Sequence, residues 1–164
     1  MRAFLFSISA FALTACASGA NGSDGASGLQ SLSVDQGPCY GFCPVYAITV
    51  EADNSYSLDN RRHTREEGLV TGRLDAGAFD TIADAAARVN FRDLPEDMTF
   101  NNPEACTGPQ MSDMPYFEFT GVYADGTEKT VRWYQGCNYP GMREFMGAVR
   151  DAYDYDIRIE RARE

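Results

Sequence analysis

Twice in this chain, two alternating apolar runs are separated by the same kind of three-residue insert, an Ala-Asp pair followed by a residue that tolerates a left-handed backbone. Ala52-Asp53-Asn54 stands between the run from Tyr46 to Glu51 (Tyr46-Ala-Ile48-Thr-Val50-Glu51) and Tyr56-Ser-Leu58, and Ala124-Asp125-Gly126 stands between Phe117-Glu-Phe119 and Val131-Arg-Trp133. Side chains on a strand alternate between its two faces, so the runs of each pair share one apolar face only if the loop holds an odd number of residues. A three-residue hairpin loop is a type I turn followed by a left-handed residue, a conformation that Asn and Gly accept at low cost. Two antiparallel registers are therefore set by local sequence before any tertiary contact is considered.

The remaining elements fit around these hairpins. Leu32 to Val34 reads as a short first strand, and the punctuated stretch from Gln36 to Pro44 excludes a helix. Residues 75–89 are alanine-rich, with Phe79, Ile82, Ala86 and Val89 at helical spacing and Asp75 as the expected cap. A second helix is expected from about Met142 to Tyr153, with Phe145, Met146, Val149 and Tyr153 on one face and Pro140 in its first turn. The charged run Arg61–Glu67, which holds the single histidine His63, reads as a solvated strand or loop, and the tail from Arg158 onward as a solvated end. The expected class is α+β: a small antiparallel sheet built from two hairpins, with two helices packed on one face and disulfides as staples.

The start of the chain has a different character. Met1-Arg2, an apolar stretch from Ala3 to Leu13 and Leu13-Thr14-Ala15-Cys16 are the parts of a lipoprotein signal, too short to span a bilayer. Residues 1–15 are expected to be removed and Cys16 to be acylated. Residues 16–30 then form a Gly/Ser-rich tether of roughly 20 Å, and residues 31–164 form a single domain. The expected location is exported and lipid-anchored, on the outer membrane facing the periplasm if the source has two membranes, because Ala17 rather than Asp follows Cys16. With 24 carboxylates against 14 lysines and arginines, net −10, nucleic acid is excluded as a partner. Contact with a membrane has to come from the lipid on Cys16 rather than from a basic patch.

Setting Cys16 aside leaves Cys39, Cys43, Cys106 and Cys137, an even number that suggests two disulfides in an oxidising compartment. Three connectivities are possible, and nearness in sequence favours Cys39 with Cys43 and Cys106 with Cys137. Rings of five and 32 residues would be worth about 2 and nearly 4 kcal/mol in the chain-entropy treatment. A redox-active Cys39–Cys43 pair is the alternative, although exchange catalysts place two residues between their thiols at a helix start, whereas three intervene here and a strand follows. The cysteines lack the paired knuckle spacing of zinc sites, and Met111 with Met114 read as loop residues filling gaps against aromatics. With one histidine there is no triad or ligand set, so the sequence points to no catalytic residue, no metal and no cofactor.

The segment Cys39-Tyr40-Gly41-Phe42-Cys43-Pro44-Val45-Tyr46 resembles the opening signature of an uncharacterised family of bacterial envelope proteins, a domain of unknown function marked by Cys-Phe/Tyr-Gly-x-Cys-Pro-x-Tyr. The resemblance implies a hairpin, a helix, a second hairpin and a final helix over roughly residues 32–155, and no assigned activity. The surplus of aromatic residues supplies the functional expectation. Tyr40, Phe42, Tyr46, Trp133 and Tyr134 are the candidate binding surface for a protein or other envelope ligand, weighed against the plainer reading that such rings fill the core.

Overall fold

The computed structural model describes residues 28–108 and 110–160. The expected signal peptide, Cys16 and most of the expected tether lie outside the described residues. Seven strands, β1 (Leu29–Gln36), β2 (Val45–Glu51), β3 (Ser55–Arg62), β4 (Gly68–Arg73), β5 (Asp97–Met98), β6 (Tyr116–Tyr123) and β7 (Glu128–Tyr134), form one sheet in the order β4-β3-β2-β1-β6-β7-β5. The helices are α1 (Ala78–Arg88), α2 (Met142–Ala152) and the short α3 (Tyr155–Arg158).

Both hairpins have the register that the loop parity requires. Val50 faces Tyr56 and Ile48 faces Leu58 across the first, with Asn54 left-handed at φ 66°. Phe119 faces Val131 and Phe117 faces Trp133 across the second, with Gly126 at φ 79°. β1 lies between them, pairing antiparallel with β2 on one side and β6 on the other. Residues directly opposite share a face, so the pairings generate rows. Leu58, Ile48, Val34, Phe119 and Val131 make one apolar row, and Tyr46, Gln36, Phe117, Trp133 and Met98 lie in the next. Phe119 meets Phe145 of α2 at 5.2 Å between ring centres, and Phe91 stacks on the same ring, so the helical layer covers this face.

The other face is polar. Ser57, Thr49, Ser33, Thr120 and Thr130 run across five strands, and the hydroxyls of Ser33 and Thr49 (2.7 Å) and of Thr120 and Thr130 (3.0 Å) bond to each other. Beside them Arg61 of β3 reaches both oxygens of Asp35 on β1.

The structure corrects the sequence reading in several places. The sheet is large rather than small, because β4 and β5 escape a pattern search. Gly-Leu-Val-Thr-Gly-Arg does not alternate and is exposed throughout, while β5 has two residues and pairs parallel with β7. Leu29 and Gln30, assigned by composition to the tether, are already in β1, and Leu29 is buried. Asp75 does not cap α1. The N-cap is Gly77, and the Phe79 amide is satisfied from outside the helix by the side-chain oxygen of Asn54, at 2.9 Å. Pro140 stands before the α2 cap Gly141 rather than inside the first turn. Of the expected solvated tail, Ile159 is fully buried and accepts a backbone hydrogen bond from Arg65.

Asn54 therefore holds two positions at once, the left-handed corner of a turn and the cap of a helix. Asn54→Gly keeps the backbone and loses the cap, so it should cost about 1 kcal/mol. Asn54→Ala adds the left-handed penalty and should cost about 2–3 kcal/mol in urea unfolding. In the same turn Asp53 accepts hydrogen bonds from Ser55 and Arg73, which hold its carboxyl at about 2 against an ordinary 3.8. A carboxyl lowered on folding stabilises above its unfolded value and loses that contribution as the pH falls through its folded one. NMR titration of Asp53 should thus show a midpoint near 2, and R73A should raise it.

Candidate binding surface

The loop between β1 and β2 is built around a covalent ring. Cys39 and Cys43 are bonded with their Cα atoms 5.8 Å apart, and Cys106 is bonded to Cys137 with Cα atoms at 4.8 Å. These are the pairs that nearness favours. Inside the small ring Gly41, at φ 136°, makes the turn that three intervening residues require. The ring is braced at its base: the Gly37 amide donates to the Tyr116 carbonyl at 2.9 Å, the Tyr40 amide to the Asp113 carbonyl at 3.3 Å, and the Gln36 side chain to the Pro44 carbonyl at 2.7 Å.

The five expected surface aromatics separate into two groups. Tyr40 and Phe42 are 88% and 87% exposed on either side of Gly41. Tyr46, Trp133 and Tyr134 are buried and form no part of a surface. Their burial follows from register. Tyr46 and Trp133 lie in the core-facing row, and Tyr134 points to the other face but is covered there, where Phe100 packs on its ring at 4.6 Å and its hydroxyl donates to the Met111 carbonyl. Phe42 meets the His63 ring edge-on at 5.3 Å. Met111 is exposed near this loop system, and Met114 is half-buried against the core.

Beneath the loop lies a network that sequence reasoning missed. The Tyr46 and Tyr153 hydroxyls bond at 2.7 Å, and Arg150 of α2 donates to the Gln36 side-chain oxygen at 2.7 Å. The Arg150 guanidinium lies over the Tyr155 ring at 4.3 Å and the Phe117 ring at 5.3 Å. Its partners here are an amide and aromatic faces rather than a carboxylate, an arrangement suited to a delocalised cation. Gln36 thus holds the Pro44 end of the loop with its amide nitrogen and the helix with its oxygen. A signal was present: Gln36 ends a core-facing strand, and Arg150 stands four residues after Met146 on the apolar face of α2.

The phenols of this network are held in the protonated form near neutrality. Burial raises the Tyr46 phenol, with Arg150 acting against it, pushes Tyr153 well above its ordinary range, and takes Tyr155 up to about 12. Along the outer side of α2 and α3 runs a groove of about 530 Å³ that includes Asp151, Asp154, Asp156 and Glu160 with Arg150 and Tyr155. Among the described residues no group of three or more His, Cys, Asp or Glu is placed to hold a metal ion.

Residues 30–153 match a family described as a domain of unknown function, DUF6438. The chain belongs to the DUF6438 family. The match runs from β1 to the end of α2, so this DUF6438 domain comprises the whole sheet, both disulfides and the loop described above. No curated protein matches the chain. The two disulfides mark the DUF6438 domain as a protein of an oxidising compartment outside the cytoplasm. Among the described residues no helix is long and apolar enough to cross a membrane.

The two bridges differ in access: Cys39 and Cys43 are half-buried, whereas Cys106 and Cys137 are 3% and 0% exposed. Under graded thiol reductant at neutral pH, alkylation followed by mass spectrometry should find Cys39 and Cys43 labelled first. Cys106 and Cys137 should react only where the fold is lost.

Proposed function

We propose that this protein is a lipid-anchored component of a bacterial cell envelope that captures a protein partner through Tyr40 and Phe42, with no catalytic role. The observation that carries the reading is the exposure of two large aromatic rings on a covalently closed turn. Exposed rings are expensive to hydrate and are the side chains that most often dominate binding energy. The five-residue ring limits the freedom they would lose on docking, which is how a preorganised contact gains affinity. The braces to Tyr116, Asp113 and Pro44 fix where the rings point relative to the sheet. The lipid on Cys16 supplies the anchor, and the tether lets the domain stand clear of the head groups.

The test combines fold and capture. A Y40A/F42A chain should keep the wild-type melting temperature within about 2 °C, because neither ring packs in the core. It should also lose the partner recovered by cross-linking in intact envelopes with the wild-type chain. Equal recovery by both chains would defeat the binding reading. Cys16→Ser should move the protein from the membrane to the soluble fraction, and a variant that still sediments with membranes would remove the anchor from the proposal.

A thiol redox role for Cys39 and Cys43 is favoured by one observation, their accessibility. Against it, the pair sits in a loop between strands rather than at a helix start, the position in which exchange catalysts hold their thiols. A reduction potential below about −300 mV marks an inert structural bridge and decides between the two.

A further inference from the structure

The sheet ends differently at its two edges. At one edge β5 is two residues long, and the chain that follows it is stitched back beside β7 through the Cys106–Cys137 bond and a bridge between Thr107 and Asn138. At the other edge β4 is the outermost strand, every residue of it is exposed, and Leu69 is 71% and Val70 37% open to solvent. From Gly68 to Gly72 it has no charge and no proline, and its ladder with β3 runs without a register shift, so no bulge turns it away. Those are the devices by which proteins protect an edge whose free backbone groups would otherwise pair with another strand.

The residues around this strand specify what it fits. Two copies related by a two-fold axis perpendicular to the sheet keep their helical layers on the same side, so each position must face one of the same parity. Centring the pair on Leu69 sets Glu67 opposite Thr71 and carries Arg73 past the end of the partner strand to the bend at 63–66, and centring it on Thr71 sets Arg73 opposite Leu69, so neither register gives an ion pair. Centring it on Val70 sets Glu67 opposite Arg73 twice, Gly68 opposite Gly72, and Leu69 opposite Thr71. Glu67 is exposed, and Arg73, 62% exposed, engages Asp53 through a guanidinium with further donors to offer.

We infer that β4 is a self-association edge, on which a second copy of this chain pairs antiparallel about Val70, joining two seven-stranded sheets into one and closing it with two Glu67–Arg73 ion pairs. The contact is limited to one strand and its flanks, so the dimer is weak, with a Kd of roughly 10–100 µM.

The test uses the full chain carrying Cys16→Ser, so that no lipid drives association, at about 0.15 M salt, where repulsion between two acidic bodies is screened beyond roughly 8 Å. Sedimentation equilibrium should show the mass rising from one chain toward two as concentration passes through that range. E67R and R73E should each weaken association by about tenfold or more, since each replaces two attractive contacts with two repulsive ones. An equimolar mixture of E67R and R73E should associate at least as well as the unsubstituted chain, because the altered side chains then face each other as opposite charges. That recovery also shows that both variants are folded. A monomer at every concentration, single variants that associate like the parent, or a mixture that fails to recover would each overturn the proposal.

Discussion

Everything in this fold leans on β1. Among the described residues it is the one strand joined to neighbours on both sides by long antiparallel ladders without being half of a tight hairpin, and it brings the two locally specified hairpins into one sheet. Its alternation is the reason the core has a single layer of helices. Leu32, Val34 and Gln36 face the helices while Ser33 and Asp35 face solvent, and the rows on either side take their direction from that choice. A one-residue slip of β1 would put Ser33 against Phe145 and Leu32 in water, turning every cross-sheet row out of phase. The last core-facing residue of β1 is Gln36, so the same strand that unites the sheet also fixes α2 through Arg150 and the cysteine loop through Pro44.

The parts of this arrangement that were legible in the sequence are those decided locally. Loop parity specified both hairpins, because side-chain alternation leaves no other solution that buries Val50 with Leu58 and Phe119 with Val131. Periodicity located α1 and α2, and proximity gave both disulfides. What escaped was decided by tertiary context. β4 is held by its ladder with β3 rather than by burial, so its residues carry no pattern. The side-chain acceptor for the first turn of α1 comes from Asn54, 25 residues before Phe79, and no window around the helix contains it. The tail around Ile159 looked polar because one apolar residue among charges has no periodicity, yet that residue is the one that docks.

The candidate surface shows the same division. Five aromatics could be named from the sequence, but composition cannot tell a ring on the core face from a ring on a loop. Register buried Tyr46 and Trp133, and a loop over the far face buried Tyr134. Covalent closure and the braces at its base keep Tyr40 and Phe42 outward, since a ring of five residues has little length with which to fold them back. The surface is consequently smaller and more sharply placed than the aromatic content suggested, and it is braced through Gln36, which bonds both the Pro44 carbonyl and Arg150.

The Cys106–Cys137 bond bears on how this protein is made as well as on how stable it is. Until it forms, the segment beyond β5 is tethered beside β7 mainly by hydrogen bonds from Met111, Met114 and Thr107 and by the packing of Phe100 on Tyr134, so both ends of the sheet are poorly guarded. A chain that folded before export, among reducing thiols, would present two strand edges in place of one and would be open to end-to-end stacking with its own kind. Oxidation fixes the segment that follows β5 beside the end of β7. The pairing proposed for β4 uses the same edge on both copies, and an isologous contact of that kind stops at two.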